Sequence, residues 1–265
     1  MNSRSGRSLL MFLFVSLFAV SAYAQATQPK PYEPQVGQEG KDVVWVPTPQ
    51  VLVEKMLDMA KVTRQDFVID LGSGDGRTVI AAAKRGARAM GIEYNPDMVA
   101  LSDFNAQEAK VTDKAKFVRG DIFEYDFSKA NVLTMFLLPS INMKLRPKIL
   151  DMKPGTRIVT NSFTMEDWEA DQSETVSDDC TSWCTAHLWI VPAKVDGTWQ
   201  LPQGTLTIKQ EFQNITGTLG STAITGKLRG ADIEFSAGSQ KYTGTVSGNT
   251  IKGNSNGQSW TATRK

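Results

Sequence analysis

Histidine is nearly missing from this chain and cysteine is scarce: His187 stands alone, with only Cys180 and Cys184 among 265 residues. Structural zinc normally takes a C-x2-4-C pair with a second pair elsewhere. Two thiolates and one imidazole leave the fourth ligand without a source, so no metal centre is expected. A disulfide across the turn is favoured over free thiols or a metal, given the export signal described next. Charge of one sign is missing too: 29 basic and 28 acidic residues give a net charge of +1. Such a chain has no long-range field to draw in nucleic acid or an anionic membrane, and neither partner is expected. The apolar run over residues 9–20 falls short of the roughly 20 residues that span a bilayer. It follows Arg4 and Arg7 and precedes Ala22-Tyr23-Ala24, the layout of a secretory signal cleaved after Ala24. The expected location is therefore periplasmic or secreted, with membrane attachment only through an uncleaved signal.

What remains has the composition of a globular protein, 41% hydrophobic and 22% charged. Pro29, Pro31 and Pro34 make the segment after the signal read as a linker, assigned to 25–42. Thr48-Pro49 reads as a helix start with a capping hydroxyl, and Leu52, Val53, Met56, Leu57 and Ala60 mark one face. From Phe67 onward, short apolar runs alternate with helical stretches, the pattern of a parallel sheet flanked by helices. Strands are expected over 67–71, 89–93, 116–119, 132–137 and 157–163, helices over 77–85, 95–109 and around 145–150, and a closing hairpin over 174–176 and 188–191. After Ala193 glycine becomes dense and helical periodicity stops. Leu206, Ile215, Ile224, Ile233, Tyr242, Ile251 and Trp260 recur at a step of nine, which suits a short strand plus a tight turn repeated as an antiparallel meander or small barrel, with Trp199 and Trp260 inside. Asn214-Ile-Thr216 fits a glycosylation sequon but is read as part of this threonine-rich repeat. The organisation is a signal at 1–24, a linker at 25–42, an α/β domain at 43–193 and a β-rich domain at 194–265.

The chemistry concentrates in Val68-Ile-Asp-Leu-Gly-Ser-Gly-Asp-Gly-Arg77. A strand ends in a carboxylate and runs into alternate glycines, Gly72, Gly74 and Gly76, at a helix start. Gly72, Ser73 and Gly74 let backbone approach a ligand, and helix-terminal amides can receive its carboxylate. Asp70 can meet the ligand's cationic end, directly or through water. A dinucleotide fingerprint would put its third glycine where Arg77 stands. Glu93, at the end of the second strand, can accept from both hydroxyls of a ribose. Asp121 can accept from an adenine amino group while Ile122 packs on the ring, unless Asp121 is an ordinary turn residue. The fourth strand delivers Phe136-Leu-Leu-Pro-Ser-Ile-Asn142. Pro139 can offer a carbonyl and Asn142 an amide to orient an acceptor amine, or the two simply turn and cap the next helix.

In order and spacing these residues resemble the class I S-adenosylmethionine-dependent methyltransferases. More narrowly they are similar to the ATP synthase c-subunit lysine methyltransferase group, through Val46-Pro-Thr-Pro49, the glycine loop and Gly-Thr-Arg-Ile-Val159. The resemblance implies a Rossmann-like α/β sheet, S-adenosyl-L-methionine as cofactor, Thr48 and Trp45 helping to close its pocket, and an acceptor that can be a protein lysine. Transfer needs alignment more than acid or base groups, because the sulfonium is already activated. The competing reading is an exported nucleoside-binding or scaffold protein that keeps the fold without transferring a methyl group.

Overall fold

A computed structural model of the protein describes residues 32–265. The signal expected at 1–24 and the start of the linker lie outside the described residues.

Five parallel strands, β1 (Phe67–Leu71), β2 (Arg88–Glu93), β3 (Ala115–Arg119), β4 (Val132–Met135) and β5 (Arg157–Asn161), are joined by β6 (Gln172–Thr175) and β7 (Thr185–Ile190). The order across the sheet is β3-β2-β1-β4-β5-β7-β6, with β7 antiparallel to β5 and β6 antiparallel to β7. The helices are α1 (Gln50–Met59), α2 (Arg77–Lys84), α3 (Pro96–Glu108) and α4 (Pro139–Leu150). Alternation along the strands divides the core in two. Val68, Val159 and Leu188 pack with α1, α2 and α3 on one face, while Ile69, Ile158 and Trp189 pack with α4 and Trp168 on the other. The strand order reverses between β1 and β4, which opens a crevice at their carboxyl ends.

The local signals for α3 hold: Asn95 caps it by accepting from the Asp97 N–H, and Pro96 fills the first turn. The start of α1 differs. Pro49 occupies the cap with no side-chain hydrogen bond, and the buried Thr48 hydroxyl instead accepts from Asn161 Nδ2 at 3.3 Å. Helix α4 is also longer than periodicity suggested, because it carries Pro147 internally and begins at Pro139. The stretch expected around 145–150 already contained Pro147, and burial of Ile141, Leu145 and Ile149 holds the helix across it.

Beyond Ala193, eight antiparallel strands close into a barrel: β8 (Gly197–Leu201), β9 (Gly204–Glu211), β10 (Asn214–Leu219), β11 (Thr222–Arg229), β12 (Asp232–Ala237), β13 (Gln240–Ser247), β14 (Thr250–Ser255) and β15 (Gln258–Arg264). Closure through Thr263↔Gln200 and Arg264↔Trp199 removes the free edges a meander would leave. The seven residues at the nine-residue step are each no more than 4% exposed and form the barrel core with Trp199 and Phe235. Two-residue turns such as Gly230-Ala231, with Gly230 at φ +62°, account for the spacing. The barrel is tied to the sheet domain: Phe212 stacks on Trp168 at 5.8 Å, Gln213 Nε2 donates to the Glu169 carbonyl at 3.0 Å, and the Ala193 N–H donates to the Gly230 carbonyl at 2.8 Å.

Candidate active site

The crevice at the strand ends gathers residues from separate stretches of chain, among them Asp70 and the glycine loop, Glu93, Asp121 and Ile122, the end of β4, and residues 38–48. Asp70 is set by strand register. It lies opposite Thr134 on β4, whose hydroxyl donates to Asp70 Oδ1 at 2.6 Å. Burial pushes the Asp70 carboxyl up to about 7, and the nearby Glu93 and Asp75 carboxylates push the same way, against the pull of the Thr134 and Thr78 hydroxyls. Asp70, Glu93 and Asp75 therefore stand close together in the crevice, and a cation entering it relieves both the desolvation and the repulsion.

Glu93 is held by main chain. Its Oε2 accepts from the Gly74 N–H and its Oε1 from the Asn95 N–H, both at 2.9 Å. An ionised carboxylate has about four acceptor sites, so two remain for a pair of hydroxyls. Gly74 sits at φ +55°, and a Cβ there would lie 2.8 Å from the Trp45 indole nitrogen, so a side chain at this position is excluded twice over. Ser73 is buried in the same loop, and its hydroxyl is without a protein partner among the described residues.

The end of the segment assigned to the linker is part of the folded site. Gln38 to Asp42 line the crevice together with Val43 to Thr48. The Gly37 N–H donates to the Trp45 carbonyl and the Trp45 N–H to the Gln38 carbonyl, both at 2.9 Å, making a strap over the glycine loop. Lys41 on this strap bonds the Asp121 carboxylate and lies 4.8 Å from the centre of the Tyr94 ring. The Lys41 ammonium and the Phe123 N–H hold the Asp121 carboxyl below its usual range. Asp121 and Ile122 line the crevice as the adenine reading requires, yet one Asp121 oxygen is already engaged by Lys41. At the strap's other end the Arg77 guanidinium pairs with Asp75 at 2.6 Å and donates to the Thr48 carbonyl at 2.9 Å. Lys41, Thr134 and Asn161 gave no signal in the sequence, since each acts through a partner far away in the chain; Arg77 was visible only as a departure from a dinucleotide loop.

Pro139 and Asn142 are not brought to the crevice wall. Pro139 opens α4, and Asn142 is fully buried in that helix with its amide donating to the Thr164 carbonyl at 3.1 Å. Helical rotation after Leu138 turns both away from the position expected for an acceptor. The wall there is instead Met135, Phe136, Leu137, Leu138 and Ile141, faced by Phe163 and by Trp183 from the loop between β6 and β7. That loop is closed by a Cys180–Cys184 disulfide. His187 Nδ1 pairs with the Ser173 hydroxyl at 2.8 Å, and burial lowers its pKa.

These residues fit S-adenosylmethionine, the cofactor implied by the resemblance. Asp70 offers a buried carboxylate to its cationic part, Glu93 a preset acceptor pair for the ribose, and Ile122 an apolar surface for the base. Comparison with known proteins points the same way. A family model described as the ANTKMT methyltransferase domain matches residues 70–172. The chain is 40% identical over 152 residues to a protein-lysine N-methyltransferase of Saccharolobus islandicus, covering 56% of this chain and 94% of that protein. It is 35% identical over 130 residues to the mouse ATP synthase c-subunit lysine N-methyltransferase, a match that covers 49% of this chain and only 52% of that protein. Among solved structures, an RNA methyltransferase from Salinibacter ruber in complex with S-adenosyl-L-homocysteine is 43% identical with a TM-score of 0.53, covering 57% of this chain and 96% of that one. The chain belongs to this family of methyltransferases.

Proposed function

We propose that the protein is an exported S-adenosylmethionine-dependent methyltransferase whose acceptor is a lysine side chain of another protein. Methyltransferase activity and the cofactor follow from family membership; the acceptor and the location are the finer reading. When bound, S-adenosylmethionine would supply an activated sulfonium methyl group for an acceptor nitrogen, with sulfur keeping the electron pair of the C–S bond as the leaving group. The chain's own residues align the two partners. Asp70 and Glu93 fix the donor, and the strap carrying Trp45 and Thr48 covers it and excludes water.

The observation that carries the lysine reading is the uncharged wall opposite the donor. A lysine must lose its proton before it can attack, which from a pKa of about 10.4 costs roughly 4 to 5 kcal/mol at neutral pH. Met135, Phe136, Leu137, Leu138 and Phe163 desolvate the amine and so lower that cost, whereas a carboxylate there would hold the ammonium. Two of the relatives are named for lysine, and one solved relative is named for RNA. The near-zero net charge favours lysine between these, because RNA affinity rests on basic surface.

Envelope extract incubated with the protein and methyl-labelled cofactor tests the acceptor. Labelled protein carrying mono- to trimethyllysine by peptide mass spectrometry is the expected result; label confined to RNA, lipid or small molecules discards the lysine. Export is tested by amino-terminal sequencing of fractionated protein, with Gln25 expected as first residue and full-length cytosolic protein as the contrary result.

A further inference from the structure

The loop between β6 and β7 reaches the crevice through Trp183. Trp183 lies inside the five-residue ring closed by Cys180 and Cys184 and takes φ +58°, an uncommon backbone conformation for a bulky side chain. Its indole packs on Phe163 with ring centres 5.2 Å apart and on Phe136 at 5.9 Å, and these two rings stack on each other at 5.9 Å. Despite those contacts Trp183 remains 43% exposed, one of the few large apolar side chains left open to solvent. Phe136 comes from the end of β4 and Phe163 from the turn after β5, so three distant pieces of chain build one aromatic wall at the open side of the crevice. The family match ends at residue 172, before this loop begins.

An exposed indole at the mouth of the crevice meets whatever enters. Aromatic faces attract cations through their quadrupole, and tryptophan does so most strongly. Unlike a carboxylate, a ring offers no charge to hold an amine protonated, and it needs no N–H from its guest. Its attraction therefore persists as an amine gains methyl groups and loses hydrogen-bond donors. We propose that Trp183, positioned by its disulfide ring and backed by Phe136 and Phe163, is the residue that recognises the acceptor's amine and its methylated products. The inference rests on the lysine reading above and assigns that reading its specificity residue.

Titrating Nε-trimethyllysine into the full chain loaded with S-adenosylhomocysteine tests it by calorimetry. Trp183→Ala is expected to weaken binding about fivefold, while Trp183→Phe retains affinity within about twofold. Affinity for S-adenosylhomocysteine should stay the same in both, which also checks that the variants fold. Trimethyllysine bound equally by the wild type and Trp183→Ala, or not bound saturably by the wild type, would overturn the proposal. Transfer assays separate this failure from that of the lysine reading. Label only on other acceptors sinks the lysine reading, whereas lysine label with an unchanged acceptor KM in Trp183→Ala sinks the role of Trp183 alone.

Discussion

At the scale of single residues, Asp70 carries the most testable chemistry. Its carboxyl titrates at about 7 in the free protein, well above its ordinary value of 3.8, chiefly because it is buried. A cationic ligand favours the ionised form, so binding in the range below pH 7 must expel a proton. Cofactor affinity should therefore fall by up to about tenfold per unit as pH drops below 7, level off above it, and lose this dependence in Asp70→Asn, as calorimetry across pH will reveal. Stability of the free protein runs the other way. A carboxyl raised in the folded state contributes fully below about 3.8 and loses that contribution as pH rises through 7. Asp70→Asn should accordingly melt higher than wild type at pH 8 while binding cofactor poorly. Glu93 is only half-buried. Glu93→Ala removes charged hydrogen bonds worth about 1.5 to 3 kcal/mol, so at least about tenfold weaker cofactor binding is expected. Both acids were legible in the sequence because each lies near a strand's carboxyl end, Asp70 just before the glycine loop and Glu93 at the close of the second strand. The placement of Asn142 was not: a single residue along the helix, about 100° of rotation, separates Ile141 at the crevice from Asn142 in the core, and the residue's identity does not record it.

Among the elements, the strap and the disulfide loop act on opposite sides of the crevice and can be loosened separately. Trp45 covers Gly74, so Trp45→Ala should raise the cofactor dissociation constant about fivefold with little change in thermal stability, measured by stopped-flow release and melting. Opening the Cys180–Cys184 bond frees Trp183 but touches neither Asp70 nor Glu93. Reductant, or a Cys180→Ser variant, should raise acceptor KM severalfold and leave cofactor affinity unchanged; a loss of cofactor binding instead would show that the loop supports the whole crevice. The resemblance already implied Trp45 and Thr48 at the pocket, but the part of the strap before Val43 is hidden in the sequence for a plain reason. Its proline-rich approach and polar content have the composition of a linker, and its order comes from Lys41, Trp45 and Thr48 meeting partners on other elements.

For the whole molecule, the barrel raises the question of independence. Its core of Trp199, Phe235, Tyr242 and Trp260 is internal, although Phe212 and Gln213 also reach the sheet domain. We propose 194–265 as a unit that folds alone: the isolated fragment should give a β-type spectrum and a cooperative urea transition, and Trp260→Ala should cost it about 3 to 5 kcal/mol. A helical or unfolded fragment would refute this. The alternation of strands and helices, the glycine loop with its two acids, and the nine-residue repeat were all properties of neighbours in sequence, set by local backbone preference and hydrophobic period. The sequence by itself therefore determined the α/β sheet, the cofactor side of the crevice and a small β domain. Only the tertiary structure decided that the meander closes, that residues 38–48 fold back over the cofactor side, and that Phe136, Phe163 and Trp183 meet. Those contacts join side chains far apart along the chain, and no local period encodes which of them will touch.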